Sequence, residues 1–289
     1  MPKTIEEAFG VFHTRLTPYT TETEAVKKHR TSIKSCLVSN FGMTDFVRTG
    51  STGNATGISG FSDTDYFAVI PSEKLKTNSA SSLAEIRAAL ETRFPKTGIY
   101  VDSPAVVCPF GSGGAENTEI VPADYVKISN GYKVYEIPDR NGGWMHASPL
   151  AHNTYVSAVN DKLGKKVKPL IRFLKAWKYY NNVPISSFYL EIRVSKYAAG
   201  ESSIVYAIDI RNIFKYLVDN DLPAVIDPTG ISGYIYPCST DAKRLDTLSK
   251  LKTALSRAEK ANEAETNKKI TGAFDWWNLL YNYNFPKYS

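Results

Sequence analysis

The chain is short of several things, and each shortage closes off a class of protein. It has no run of about 18 apolar residues, so no transmembrane helix and no membrane partner are expected. It has only three cysteines, Cys36, Cys108 and Cys238, which are widely spread and odd in number. Neither a disulfide framework nor a zinc site follows from that spacing. Small apolar side chains buried in a reducing cytosol are the simpler expectation. The opening Met1-Pro2-Lys3-Thr4-Ile5-Glu6-Glu7 lacks the basic-then-apolar layout of a secretory leader, so a cytoplasmic protein is expected. No internal repeat, low-complexity tract, zinc-ribbon insertion or arginine-rich arm appears. The rest is ordinary for a globular chain: 43% hydrophobic and 22% charged over 289 residues, enough for one large domain or two lobes sharing a seam. A formal charge of +6 fits either nucleic acid or the phosphates of a small ligand. Without a nucleic-acid motif, an obligatory DNA or RNA partner is not expected.

Hydrophobic spacing outlines the elements. Thr4-Ile5-Glu6-Glu7 fits a capping box that opens a first helix. Val26, Ile33, Leu37 and Phe41 share one face of a second helix that Gly42 would stop. Asp65-Tyr66-Phe67-Ala68-Val69-Ile70, Ala105-Val106-Val107-Cys108-Pro109 and Glu119-Ile120-Val121-Pro122-Ala123 read as strands. A helix around Leu83, Ile86, Ala89 and Leu90 ends at Pro95, and short strands run on to about Val126. From His152 the pattern turns helical, with further helices around Leu170–Trp177, Tyr206–Leu217, Arg244–Ala264 and Ile270–Leu280. The division expected is a mixed first lobe over 1–150 and a helical second lobe over 151–289, with substrates in the cleft between them.

The chemistry concentrates near Asp63-Thr64-Asp65. Side chains alternate along a strand, so both carboxylates would point the same way and repel unless a cation sits between them. Oxygen-rich pairs of this kind suit Mg²⁺ or Mn²⁺, although Asp-x-Asp alone fits a solvated strand end equally well. Glu119, at the head of another apolar run, would supply a third carboxylate if its strand lies alongside, giving a two-ion site; Asp124 is a possible substitute. Gly50-Ser51 adds a place where backbone and hydroxyl can approach a phosphate. Arg172, Lys175 and Lys178, three residues apart on one helix, are either three solvated cations or a phosphate grip.

In this order the motifs resemble the nucleotidyltransferase superfamily built on the polymerase β type core. Within it they resemble the bacterial CD-NTases, relatives of cyclic GMP-AMP synthase and oligoadenylate synthase. The resemblance continues through Tyr135-Glu136-Ile137-Pro138-Asp139, Gly143-Trp144, Ser148-Pro149, His152, Ile171–Lys178, Ser186–Glu191, Asp227-Pro228-Thr229-Gly230 and the helical tail with Trp276-Trp277 and Phe285-Pro286. It departs at Glu119, where the family usually has aspartate.

The resemblance implies an α+β fold, a mixed-sheet polymerase β-like core packed on a C-terminal helical lobe. It implies two Mg²⁺ or Mn²⁺ ions on Asp63, Asp65 and Glu119, which would also be the catalytic residues. Nucleotide binding would fall to Gly50, Ser51, Arg172, Lys175, Ser187 and Phe188, with Lys175 on the donor triphosphate. Ser187-Phe188 would touch phosphate and stack on a base, although Phe188 also fits an ordinary core position. Lys162, Lys165, Lys166 and Lys168 would open a helix beside the nucleotide. His146 and His152 are read as structural or pocket-lining.

The implied activity is synthesis of a cyclic di- or trinucleotide messenger from ATP and other nucleoside triphosphates, in anti-phage (CBASS) signalling. A regulator encoded nearby and a downstream effector are the implied partners, and a monomer is expected. A linear 2′–5′ oligonucleotide synthase, a transferase acting on tRNA, protein or a small molecule, and a nucleotide-binding regulator with a degenerate site are the competing readings.

Overall fold

The computed structural model describes residues 2–18, 24–61, 64–111 and 116–289. Asp63 and most of the glycine-rich loop after Phe110 therefore lie outside the described residues. In chain order the elements are α1 (Ile5–Leu16), α2 (Glu24–Phe41), β1 (Asp45–Arg48), α3 (Gly50–Gly53), β2 (Thr64–Val69), α4 (Ser79–Arg93), β3 (Tyr100–Asp102), β4 (Ala105–Phe110), β5 (Glu116–Ser129), β6 (Tyr132–Pro138), β7 (Trp144–Ala147), α5 (Pro149–Lys162), α6 (Val167–Tyr180), α7 (Ser187–Ala198), α8 (Tyr206–Asp219), β8 (Val225–Ile226), β9 (Tyr234–Ile235), α9 (Asp241–Thr266) and α10 (Ile270–Leu280). The capping box of α1 is formed: Glu7 N–H donates to Thr4 Oγ1 at 3.2 Å, and Thr4 N–H donates back to the Glu7 carboxylate at 3.3 Å. No helix among the described residues is long and apolar enough to cross a membrane.

The main sheet is mixed, with strand order β1-β2-β5-β4-β3 and with β6 and β7 continuing from β5. β2 and β5 run parallel, while the other neighbours are antiparallel. Alternation sorts the strand residues between two cores. Ala68, Ile70, Val106, Cys108 and Ile120 meet Ile33 and Leu37 of α2 and Leu83, Ile86 and Leu90 of α4. Phe67, Val69, Val121, Ala123, Tyr135 and Ile137 form a smaller cluster on the opposite face. Asp65 and Glu119 fall in phase with this second set, so the carboxylates sit on the face away from α2 and α4.

The third and largest core lies among the helices. α1 belongs to it: Ile5, Phe9, Phe12 and Leu16 pack with Phe173, Trp177, Trp277 and Phe285. The first helix, expected with the sheet lobe, therefore packs with the helical one. The physical reason is its aromatic stripe, which finds ring partners on α6 and in the C-terminal tail. Phe173 lies 4.9 Å from Phe9, 5.7 Å from Phe12 and 4.9 Å from Tyr206, centroid to centroid. Replacing it leaves a void that this crowded site closes poorly. Phe173→Ala should cost about 3–5 kcal/mol in denaturant unfolding, whereas a loss below about 1 kcal/mol would mean that the ring layer rearranges freely.

Candidate active site

The parallel pairing of β2 with β5 sets Asp65 directly opposite Glu119. Both side chains are half-buried and leave the same face of the sheet. Asp124, the substitute considered for Glu119, has the opposite phase and accepts from Ser72 Oγ at 2.5 Å. Asp63, the remaining carboxylate expected here, lies outside the described residues, and no group of three potential metal ligands gathers among those described.

Next to this pair, β1 ends in a tight turn. Thr49 N–H donates to the Asp65 carbonyl at 2.8 Å, tying the turn to β2. Gly50 follows with φ +59°, and a Cβ built on it would fall on the Asp65 carboxylate. Only glycine therefore allows both this backbone conformation and this approach. Asn54 N–H then donates to Gly50 O at 3.0 Å and Thr56 N–H to Ser51 O at 2.9 Å, closing a compact Gly50–Gly57 turn.

The helical lobe holds that turn from behind. Arg172 Nε donates to Gly57 O at 3.1 Å and Nη2 to Ala55 O at 2.9 Å. Lys175, expected on the triphosphate, is fully buried and donates to Glu191 Oε1 at 2.8 Å. The same carboxylate accepts from Thr56 Oγ1 at 2.5 Å and Asn54 Nδ2 at 3.0 Å. Burial alone would raise the Glu191 carboxyl, but Lys175, Thr56 and Asn54 outweigh it and hold the group below its ordinary value.

Arg172 Nη1 also lies 2.8 Å from His13 Nε2. A guanidinium only donates, so Nε2 must be the ring's unprotonated nitrogen. Burial and Arg172 together push the imidazole below its ordinary value of 6.5. The folded state thus resists a proton that the unfolded chain accepts. Stability should be flat above about pH 6.5 and fall as pH drops below it. Thermal unfolding from pH 7 to about 5.5 should show a decline in the wild type that His13→Gln, which keeps an acceptor, partly lacks. Equal slopes would contradict this.

The next cation along α6 is half-buried. Lys178 Nζ donates to Ser187 Oγ at 2.6 Å, and Tyr179 OH lies 3.3 Å from the same oxygen. Ser186 caps α7 by accepting from Tyr189 N–H at 3.2 Å, which leaves Ser187 and Phe188 in its first turn. Phe188 is 39% exposed and its ring stands edge-on to His152, 4.9 Å away. His152 is buried with Asp227, Nε2 to Oδ2 at 3.0 Å. Burial would raise the Asp227 carboxyl, but His152 and the N–H groups of Ser232 and Thr229 hold it far below the usual range. His146 faces Glu136 at 3.6 Å on the exposed edge of β6 and β7.

Residues 3–160 match the family described as Second Messenger Oligonucleotide or Dinucleotide Synthetase domain, which is more than half of the 289-residue chain. The chain belongs to this family. A probable cyclic nucleotide synthase of Bacillus cereus strain VD146 is 26% identical over 175 residues, 59% of this chain and 52% of that protein, so the match spans about half the length of that curated relative. CdnC of E. coli MS115-1, solved with ATP, is 15% identical over 97% of this chain and 98% of its own, with a TM-score of 0.74. The complex of CdnC with HORMA-deltaN gives 15% identity over 97% and 98%, with a TM-score of 0.71. Vibrio cholerae DncV, a cyclic AMP-GMP synthase solved with the linear intermediate pppA(3′,5′)pG, is 12% identical over 99% of this chain and 97% of its own, TM-score 0.74. At such identities the likeness shows the fold, the bilobal α+β architecture of the CD-NTases.

In this CD-NTase the expected site residues divide into three groups. Asp65 and Glu119 come together on the sheet, with Gly50 against Asp65 and Ser51 next in the chain on α3. Ser187 and Phe188 come together on α7, joined by Lys178, which sequence reasoning passed over in favour of Lys175. Arg172 and Lys175 lie behind the Gly50–Gly57 turn, turned away from solvent. The available signal was Glu191, a lone carboxylate in the apolar run Tyr189-Leu190-Glu191-Ile192, which requires a buried cation as partner. The Lys162–Lys168 cluster also differs from expectation: Lys162 closes α5, Lys165 and Lys166 lie in the connection, and Lys168 sits in α6.

Proposed function

We propose that the protein is a metal-dependent nucleotidyltransferase that joins nucleoside triphosphates into a cyclic di- or trinucleotide and releases pyrophosphate. The observation that carries this is the in-register Asp65–Glu119 pair with the Gly50 turn closed against Asp65. Two carboxylates on one face, beside a glycine that a side chain would drive into Asp65, form an all-oxygen donor set of the kind Mg²⁺ or Mn²⁺ takes. Asp65 and Glu119, with Asp63, would hold two ions. When bound, such ions polarise phosphoryl oxygens and neutralise charge developing in an in-line displacement.

The chain's own groups do the remaining work. Lys178 Nζ, Ser187 Oγ and the first-turn N–H groups of α7 grip the triphosphate. The exposed Phe188 face takes a base, a contact that contributes about 1–3 kcal/mol. A Glu119 carboxylate oxygen accepts the proton of the attacking ribose hydroxyl. The ribose oxygen, relieved of that proton, bonds to the α-phosphorus of the donor as the bond to pyrophosphate breaks. Positioning and charge stabilisation supply most of the rate. ATP and GTP are the first substrates to test, in view of the ATP bound to CdnC and the linear intermediate bound to DncV. The CdnC complex with HORMA-deltaN supports a protein regulator as partner, and anti-phage signalling through a downstream effector is the role proposed.

Pyrophosphate release separates nucleotide joining from the acceptor-directed and regulator readings. The four ribonucleoside triphosphates with Mg²⁺ or Mn²⁺ should suffice. Release that begins only when tRNA, protein or a small-molecule acceptor is added would favour an acceptor-directed transferase. ATP binding without any release would favour a regulator.

A further inference from the structure

A lysine and a glutamate with almost no contact with water are an unusual feature beside an active site. Lys175 is 0% exposed and Glu191 5%. Removing two charges from water costs several kcal/mol for each, and well-packed apolar residues would hold the same space as well or better. The pair therefore calls for a role beyond stability. Its surroundings supply one. Glu191 engages all its partners at once: Lys175 from α6, and the side chains of Asn54 and Thr56 from the Gly50–Gly57 turn. Asn54 and Thr56 are also the residues whose N–H groups close that turn onto Gly50 and Ser51. Glu191 lies one helical turn below Ser187 and Phe188 on α7, at i+4 and i+3, hence on the same side of the helix.

We infer that the Lys175–Glu191 pair is a positioning device that locks the Gly50–Gly57 turn, and with it the carboxylate site, at a fixed setting relative to the nucleotide grip on α7. Lys175 neutralises Glu191 so that Glu191 can hold Asn54 and Thr56; it does not touch substrate. The inference rests on the proposed nucleotidyl transfer for its consequence in rate, and on the structure alone for its effect on the turn.

The chemistry leads to an uncommon pattern of variants. Lys175→Met leaves a buried carboxylate without its cation, and Glu191→Gln leaves a buried ammonium without its anion. Lys175→Met/Glu191→Gln removes both charges and keeps a carbonyl oxygen to accept from Asn54 or Thr56. A displacement of about 1 Å at a reacting centre can cost about 10²-fold. Each single variant should lose about that much in kcat with little change in KM for the triphosphate, and the double variant should return to within about tenfold of wild type.

Backbone amide exchange over residues 50–57 supplies a second readout that needs no turnover. The Asn54 and Thr56 amides should exchange faster in each single variant and recover protection in the double. The inference is overturned if the double variant is as inactive as Lys175→Met with a raised KM and unchanged exchange, the signature of a lysine on the phosphates. It is equally overturned if Glu191→Gln matches wild type in both readouts. If the single variants fail to fold, the double decides: wild-type protection with activity supports the device, and a folded but inactive double rejects it. Should the wild-type protein make no product at all, the proposed reaction fails while the exchange pattern still tests the lock.

Discussion

Asp65→Asn protein should fold normally and lose nucleotide transfer by about 10³-fold or more, the equivalent of about 4 kcal/mol of transition-state stabilisation. The substitution keeps the shape and removes only charge. Asp65 is half-buried at the second position of β2, so amide and carboxylate fit the same space. Its backbone carbonyl, which accepts from Thr49 N–H, is untouched, and the Gly50 turn stays attached. What disappears is one negative oxygen donor opposite Glu119. Steady-state rates beside a thermal melt check this: an unchanged melting temperature with the rate collapsed is the expected outcome. A variant retaining a tenth or more of wild-type activity would remove Asp65 from the reaction.

Gly50→Ala is the smallest substitution with a comparably large expected effect. The added methyl meets two separate obstacles. At φ +59° an alanine carries a backbone cost of roughly 1–2 kcal/mol. Its Cβ would also occupy the position of the Asp65 carboxylate, so either the turn or the carboxylate must move. Since Asp65 is the group that reacts to the displacement, activity should fall by about 10²-fold or more, while overall stability drops only by about the backbone cost. Gly50 is exposed, so no core is disturbed. A Gly50→Ala enzyme within about threefold of wild type, measured as kcat beside the unfolding free energy, would show that the close approach has no role.

What could be read from the sequence was the part governed by local rules. Thr4 and Glu7 announced α1, and the apolar runs at 65–70, 105–109 and 119–123 fall within or against β2, β4 and β5, because strand period and β-branched composition act within a few residues. The choice between Glu119 and Asp124 was open, since both lie in one strand and only the register with β2 decides which of them faces Asp65. Choosing Lys175 over Lys178 needed knowledge of which face of α6 is covered. Three cations at spacing three spread around a helix, and two of them turned inward to meet Glu191 and the carbonyls of Ala55 and Gly57. α3 carries no periodicity in its four residues and was not expected. β6 and β7 were missed because Tyr132–Pro138 buries adjacent pairs, Val134-Tyr135 and Ile137-Pro138, rather than alternate residues, and two prolines and a glycine pair interrupt the neighbourhood. The seat of α1 in the helical core is tertiary, set by rings more than 150 residues away in Phe173, Trp277 and Phe285.

Mass spectrometry of the products formed from the four ribonucleoside triphosphates, with Mg²⁺ or Mn²⁺ and again with a chelator, tests the central claim most directly. The expected result is a nuclease-resistant cyclic di- or trinucleotide that appears with the metal, vanishes with the chelator, and is absent from Asp65→Asn protein. Nucleotide products that persist with the chelator or in Asp65→Asn protein, or products that are linear throughout, would contradict it.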